Sequence, residues 1–227
     1  GALAITNGAT FTVANGQSIS LNQSNTFSST VTFASSGTIG SVTINDSNAF
    51  DLKALTTSGD LTVTAGGAVT DSGALVIPGT ATISASGQDV TLDDSSNNFG
   101  TLAITGANVA IIDTNAIVLG TSTVSGTYAV TATAGGDITD SGVLAITGAA
   151  TFTAANSQSI YLDSANTFSS TVAFSSGGTL ADVTINDSND FDFAALALSG
   201  NLITTSMGGS ITDSGALAIS GSSSFTT

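Results

Sequence analysis

Residues 41–67 read SVTINDSNAFDLKALTTSGDLTVTAGG, and the alternation in this stretch decides the fold. Val42 and Ile44 flank a threonine, and a turn rich in Asn and Ser follows. Leu61 and Val63 flank another threonine in the same way. Alternation with a period of two puts the apolar side chains on one face of a β-strand and the threonines on the other. The stretch therefore predicts short, half-buried strands separated by turns.

Similar strands recur along the whole chain. Their starts lie near Ser18, Ser41, Ala68, Asp89, Asn108, Asp137, Ser159, Asp182 and Ser210. The eight intervals cover 192 residues, which gives a mean period of 24. A single unit of this length cannot bury its apolar face alone, so the units must stack. We predict an all-β, parallel β-helix (β-solenoid) of about 24 residues per coil and nine to ten coils.

A longer repeat of about 70 residues, or three coils, is superimposed on the short one. It is marked by segments of the Gly-Ala-Leu-Ala-Ile type that begin at Gly1, Gly73, Gly142 and Gly215. No linker interrupts the pattern, so residues 1–227 are predicted to form one domain. Because the chain begins and stops inside copies of the same segment, we expect either a window of a longer array or a subunit that stacks end to end.

An antiparallel sandwich is the competing all-β arrangement. It would favour Asn-Gly or Asp-Gly hairpin turns. The chain has such pairs only at Asn7-Gly8 and Asn15-Gly16, outside the regular array. Helix is disfavoured because Ser, Thr, Asn, Asp and Gly dominate the polar positions.

The charge balance is strongly acidic, with one Lys, sixteen acidic residues and a formal net charge of -15. Such a surface argues against nucleic acid or anionic lipid as a partner. No apolar run approaches the ~20 residues of a membrane-spanning helix, so we predict no span in this segment. The chain has no Cys, which excludes disulfides and thiolate metal sites.

Catalysis is not expected. The chain has no His and no Cys, and Lys53 is its single basic side chain. Neighbouring carboxylates such as Asp93-Asp94 could resemble the pair of a glycoside hydrolase. Because they lie in copies of a turn that recurs elsewhere, we interpret them as structural and predict that the chain is not an enzyme.

Stacking should turn repeated residues into columns. One predicted column is a ladder of Asn amides at a turn beside a stack of buried rings. Its members are Asn25, Asn48, Asn98, Asn115, Asn166 and Asn189, with Phe27, Phe50, Phe99, Phe168 and Phe191.

A second predicted column consists of Asp followed by Ser or Thr. Its members are Asp46, Asp71, Asp94, Asp113, Asp140, Asp163, Asp187 and Asp213. Stacked carboxylates would repel by about 1 kcal/mol per neighbouring pair in water, so something must offset them. Either each carboxylate accepts backbone N–H groups in an Asx turn, or weakly bound Ca²⁺ bridges neighbouring oxygens. No other cofactor is expected.

Two further features bear on binding. Thr-x-Thr pairs such as Thr62/Thr64 could form an ice-binding face, although outward Thr is common on β-surfaces. The additional residues at 121–128 predict a protruding loop, which is where an adhesin would place a binding site.

The segments AGGAVTDSG at 65–73, AGGDITDSG at 134–142 and SITDSG at 210–215 resemble repeats of large bacterial exoproteins, in particular filamentous-haemagglutinin-like adhesins of two-partner secretion. The Asn-x-Phe units carry the same resemblance, which covers essentially the whole chain. It implies a right-handed β-helical shaft, export to the bacterial cell surface, and a role in adhesion, biofilm or matrix, with a host or matrix surface as a partner. We therefore expect a structural shaft or fibre segment. The alternatives are a carbohydrate- or receptor-binding adhesin module, or a calcium-binding or ice-binding solenoid.

Overall fold

The computed structural model describes all 227 residues, Gly1 to Thr227, and contains twenty-eight β-strands and no helix. Fifteen strands form the largest sheet. They are β1 (Ala4–Ile5), β3 (Ile19–Phe27), β5 (Val42–Asp46), β7 (Leu55–Thr56), β8 (Leu61–Ala65), β10 (Leu75–Ser84), β12 (Asn98–Gly106), β14 (Ile117–Leu119), β15 (Ser122–Val124), β17 (Ile138–Asp140), β18 (Leu144–Ile146), β20 (Ile160–Phe168), β22 (Val183–Asp187), β25 (Leu202–Ser206) and β28 (Ser223–Thr226).

The remaining strands form a second face of the coil and two small pairs. The nine-stranded sheet contains β6 (Phe50–Leu52), β9 (Val69–Asp71), β11 (Val90–Leu92), β13 (Val109–Asp113), β16 (Tyr128–Ala132), β19 (Ala150–Ala154), β21 (Val172–Ser176), β23 (Phe191–Phe193) and β26 (Ile211–Asp213). The pairs are β2 (Ala9–Val13) with β4 (Val31–Ser35), and β24 (Leu196–Leu198) with β27 (Leu217–Ile219).

All strand pairs are parallel, and each joins one coil to the next. In the largest sheet, for example, Val42 lies beside Leu61. Leu61 lies beside Ala81, and Ala81 beside Leu102. No strand pairs with the strand that follows it in the sequence, so the chain forms no hairpins. The predicted parallel β-solenoid is therefore confirmed, and the antiparallel sandwich is excluded.

The predicted coil length was wrong. The solenoid has about 11 turns of ~21 residues, instead of nine to ten coils of about 24. Ser41 precedes β5 in the largest sheet, whereas Ala68 and Asp89 precede β9 and β11 in the nine-stranded sheet. The sequence count mixed the two faces, because strands on both faces bury alternate residues against the same core and look alike. With strands ~4.8 Å apart, the rod is roughly 50 Å long.

One hydrophobic core runs along the axis of the solenoid and contains 50 buried residues. Strands such as β5 and β22 turn every second residue inward, as the alternation of Val and Ile with Thr predicts. Burial of each Val, Leu, Ile or Phe side chain contributes about 1.5–3 kcal/mol, so stability accumulates coil by coil.

No loop protrudes at residues 121–128, contrary to the sequence prediction. Ser122 and Val124 lie in β15 and are buried, and Tyr128 begins β16 with its ring in the core. The additional residues are accommodated within the stack, because β14 and β15 are two short strands that both pair with the single longer strand β12. No helix in the structure is long and apolar enough to cross a membrane.

Candidate functional site: polar corners of the coil

Three buried asparagines bind consecutive coils together at the corners of the solenoid. In each case the side-chain Oδ1 accepts the backbone N–H of a leucine in the preceding coil. The pairs are Asn25 with Leu3 (2.9 Å), Asn97 with Leu75 (2.8 Å) and Asn166 with Leu144 (2.8 Å). All three asparagines are at most 1% exposed, and the hydrogen bonds to Leu75 and Leu144 form out of contact with water, where leaving a donor unpaired is costly.

The amide nitrogens of the same asparagines complete the corner. Asn97 Nδ2 donates to Asp71 Oδ2 at 2.6 Å, and Asn166 Nδ2 donates to Asp140 Oδ2 at 2.7 Å. Asn25 lacks such an aspartate and donates to two backbone carbonyl oxygens instead. Hydrogen bonds to a carboxylate are shorter and stronger than neutral ones, so the corners at Asn97 and Asn166 are the tighter two.

Three further aspartates are buried almost completely and also bridge coils. Each accepts the backbone N–H of a phenylalanine in the preceding coil through one carboxylate oxygen. The pairs are Asp46 with Phe27 (3.1 Å), Asp113 with Phe99 (2.7 Å) and Asp187 with Phe168 (3.2 Å). In Asp46 and Asp187 the other oxygen, Oδ2, is buried without a partner.

Burial governs the ionisation of these corner carboxylates. Desolvation raises the pKa of Asp71, Asp113 and Asp140 above the ordinary value, and hydrogen bonds from backbone N–H groups or from asparagine oppose the rise. Burial raises the pKa of Asp187 to about 6, and the negative charge of nearby Asp190 adds to the effect. A fraction of Asp187 is therefore neutral near pH 6.

The predicted aspartates do not form a single column. Asp46, Asp140 and Asp187 end strands of the largest sheet, whereas Asp71, Asp113 and Asp213 end strands of the nine-stranded sheet. Asp163 and Asp213 are exposed. Asp94 lies in a turn, where its Oδ1 accepts the N–H of Ser96 at 2.9 Å. The repulsion expected from a continuous ladder is thus avoided by distributing the carboxylates over different edges.

The contacts of the aspartates match the Asx-turn interpretation more closely than the cation interpretation. Asp94 and Asp113 each accept the N–H of the residue two positions later. No group of three or more acidic side chains converges in a way that could hold a metal ion. Weak calcium binding stays a prediction that these contacts do not test.

The predicted asparagine ladder was also wrong in its geometry. Asn48 and Asn189 donate to the carbonyl oxygens of Phe27 and Phe168, and none of the predicted asparagines bonds to the side-chain amide of another. Asn115 lies partly exposed in a turn. Where the ladder was predicted to contain Asn98, the buried residue is its neighbour Asn97, and Asn98 itself is only partly buried.

Unequal coil lengths and a register shift in β3 explain why the ladder fails. The hydrogen bond from Ser41 N–H to Ser18 Oγ spans 23 residues of sequence, whereas the equivalent bond in the next coil, from Asp60 N–H to Ser41 Oγ, spans only 19. Within the first step, an irregularity in β3 between Leu21 and Asn25 shifts the register, so Asn25 lies beside Asp46 and not beside Asn48.

The phenylalanines of the predicted column are all buried, but they do not form a continuous stack. Phe27 packs on Phe11, and Phe168 packs on Phe152 and Phe191. Phe50 and Phe99 contact no aromatic ring. The rings therefore form separate clusters along the core, joined by aliphatic side chains.

One signal in the sequence could have identified the true corners. The spacing from the corner leucine to its asparagine is 22 residues in all three cases. The segment Asp-Ser-Gly-x-Leu precedes two of them, at 71–75 and 140–144. Pairing by constant spacing would have selected Asn97 in place of Asn98.

Two open clefts lie where the second face of the coil is interrupted. The strand β4 pairs only with β2, and β6 begins the nine-stranded sheet without pairing to β4. The first cleft is lined by Phe27, residues 28–30, Asp46 and Phe50. The second lies further along the chain, where β21 and β23 pair through a single residue, and it is lined by residues 169–171 and Asp190. Each of these two clefts leaves room for a small ligand.

The chain matches a family model described as repeats of unknown function (DUF5649). The match has three parts, at residues 39–105, 106–175 and 180–227. A search of curated proteins and a search of solved structures return no match.

Proposed function

The chain belongs to the DUF5649 family of repeats, and from this premise we propose that it is a non-catalytic structural shaft of an extracellular bacterial surface protein. The observation that carries the proposal is the continuous stack of about 11 coils around one core. In such an array each coil contacts only its neighbours, so length can be added without changing the packing of the rest. A shaft of this kind extends the reach of whatever lies at its end.

The composition supports an exposed and exported location. The single Lys and the absence of Arg leave few sites for trypsin-like proteases, and the resemblance to filamentous-haemagglutinin-like exoproteins points to the cell surface. The terminal coils expose apolar side chains such as Leu3 and Phe225, which suits packing against a further coil. Adhesion, biofilm or matrix formation would then be the process that the shaft serves.

The shaft proposal is tested by changing the length of the chain. Duplication of residues 18–158, a segment as long as the offset between the equivalent residues Ser29 and Ser170 of the two clefts, should lengthen the rod by roughly 30 Å in small-angle X-ray scattering, with an unchanged cross-section. Antibody labelling of intact producing cells should detect the repeats at the surface. An unchanged maximum dimension, or a signal only after lysis, would contradict the proposal.

A second candidate function is carbohydrate or receptor binding, and the first cleft is the observation that favours it. Asp46 lies in its wall with one unpartnered carboxylate oxygen, and the hydroxyl groups of residues 28–30 surround the opening. Ser29→Tyr should block this cleft and abolish binding in a glycan or matrix-protein screen, whereas Ser170→Tyr in the second cleft is the matched control. Absence of binding by the unmodified chain leaves the shaft as the function.

A further inference from the structure

The asparagine corners show how one coil receives the next. A corner leucine offers its N–H, and in two cases an aspartate four residues earlier offers its carboxylate. The incoming coil supplies one asparagine that satisfies both groups. The receiving half is therefore Asp-Ser-Gly-x-Leu, and the inserting half is an asparagine 22 residues after the leucine.

A further copy of the receiving half lies at the C-terminal edge. Residues 213–217 read DSGAL, as do residues 71–75. Asp213 is exposed, and no residue donates a hydrogen bond to its carboxylate. Leu217 is only partly buried, whereas its counterparts Leu75 and Leu144 are fully buried. Both groups that the asparagine satisfies elsewhere are thus present here without it.

An aromatic contact accompanies the polar one. Phe152 follows its corner leucine by eight residues and packs edge-on against Phe168 at a centroid distance of 6.1 Å. Phe11 packs against Phe27 in the same way at 5.9 Å. Phe225 also follows its leucine, Leu217, by eight residues, but its side chain is 49% exposed.

The uncovered groups surround one open cavity. It is lined by Phe193, Ile211, Thr212, Asp213, Leu217, Phe225 and Thr227. In the interior corners, the phenylalanine two residues after the asparagine packs at the equivalent place. The cavity is therefore apolar where a ring would insert and carries a carboxylate where an amide would donate.

We propose that the C-terminal edge is a docking surface for a coil that carries Asn-x-Phe, supplied by a further repeat of the same family. This inference rests on the proposed shaft function and deepens it by naming the residues that the neighbouring repeat must present. The incoming asparagine accepts the N–H of Leu217 and donates to Asp213. The incoming phenylalanine packs on Phe225.

The N-terminal coil of a second copy does not fit this surface. Ala4 lies beside Thr26, which puts Leu3 at the level of Asn25. Stacked on the C-terminal edge in the same register, that coil would present Leu3 where the asparagine is required. The leucine side chain has no amide group and would leave Asp213 without a donor in an apolar surrounding, which is unfavourable.

The test extends the full chain after Thr227 by a copy of residues 155–176. This extension puts the copied Asn166 as far beyond Leu217 in the sequence as Asn166 itself lies beyond Leu144. Hydrogen exchange at the Leu217 amide should slow by about tenfold, because a single buried hydrogen bond then protects it. Replacement of that copied asparagine by Ala should remove most of the protection. The matched control replaces the copied Asn156, which comes from an exposed turn, and should retain it.

A measurement in trans covers the case in which the extended chain does not fold. A peptide of residues 155–176 added to the unmodified chain should shift the NMR signals of Asp213, Leu217 and Phe225, and Asp213→Ala should weaken this binding. The proposal is overturned if neither form protects Leu217, or if the asparagine-free extension protects it equally. It is also overturned if the unmodified chain assembles head to tail with rising concentration. The shaft proposal fails separately. If internal duplication does not lengthen the rod, only the shaft proposal is refuted, because the docking proposal is judged from hydrogen exchange at the Leu217 amide.

Discussion

Residues 18–65 and residues 159–206 are two copies of the same segment, and they differ mainly outside the core. The inward positions of β5 recur in β22 as Val, Ile and Asp. The buried corner asparagine recurs as well, at Asn25 and Asn166. The polar surroundings change, since Ala49 becomes Asp190 and Lys53 becomes Ala194, and in the core Val63 becomes Thr204. The comparison indicates that packing specifies the coil, whereas local polar contacts set the stability of each copy.

The largest expected difference between the copies concerns the corner asparagine. Asn166→Ala leaves the buried N–H of Leu144 and the carboxylate of Asp140 without their partner, and should cost about 3 kcal/mol. Asn25→Ala should cost about half as much, because Leu3 is exposed and no aspartate is involved. Denaturant unfolding measures both.

Two neighbouring asparagines, Asn97 and Asn98, test whether the cost comes from the corner hydrogen bonds. Asn97→Ala should resemble Asn166→Ala, since Asn97 also binds an aspartate. Asn98→Ala is the matched control, because the Asn98 side chain is partly exposed and makes no hydrogen bond, and should change stability by less than about 0.5 kcal/mol. Equal costs for Asn97 and Asn98 would refute the assignment of the corners.

The next difference is a buried hydroxyl group present in only one copy. Thr204 is fully buried and its Oγ1 has no hydrogen-bond partner, whereas the equivalent Val63 is buried without a polar atom. Thr204→Val should therefore raise the free energy of unfolding by about 1–2 kcal/mol. The reciprocal Val63→Thr should lower it by a similar amount. If Val63→Thr raised the free energy of unfolding, the buried hydroxyl group would not be the cause of the expected difference in stability between the two copies.

The pH dependence of stability should distinguish the copies through Asp187. Its folded pKa, about 6, lies above the ordinary value of 3.8, so folding favours the protonated form. The stabilisation is lost as pH rises through about 6 and is complete below about 4. The free energy of unfolding should therefore be greater at pH 5 than at pH 8, by about 1 kcal/mol from this group. The raised pKa values of Asp71, Asp113 and Asp140 act in the same direction.

Substitution of one neighbour tests the cause of the shift at Asp187. Asp190→Ala restores the residue type that the first copy has at Ala49 and removes a negative charge that raises the pKa. The titration midpoint of the Asp187 carboxyl carbon, followed by NMR, should fall but stay above the ordinary value, since burial is the larger cause. Asp187→Asn should flatten the pH dependence of stability. A midpoint unmoved by Asp190→Ala would contradict the electrostatic part of this explanation.

The sequence predicted what depends on local alternation and failed where the exact length of each coil matters. Val42, Ile44 and Thr43 show which face is buried, and the short unit could be stable only in a parallel stack. The pairing of Asn25 with Asp46 could not be predicted in the same way, because it depends on an irregularity in β3 that shifts the register between Leu21 and Asn25. The length of each turn depends on how the coil closes in three dimensions. Because strands on the two faces have similar sequences, a count along the sequence does not reveal that length.

The smallest expected effect concerns the one ion pair of the first copy. Lys53 binds Asp51, and Ser72 donates to the same carboxylate. Burial by itself would raise the pKa of Asp51, but the hydrogen bonds from Lys53 and Ser72 outweigh it and lower the pKa. Because both partners are more than a third exposed, Lys53→Ala should destabilise the chain by at most about 0.5 kcal/mol, and less at high salt.

The second copy offers the reverse experiment, because it already has Ala194 at this position. There Asp192 accepts only the hydroxyl of Thr212. Ala194→Lys should therefore give a gain of the same size and the same salt dependence as the loss on Lys53→Ala. A loss above about 1 kcal/mol on Lys53→Ala would mean that this pair, and not the packing shared by both copies, holds this part of the first copy in place.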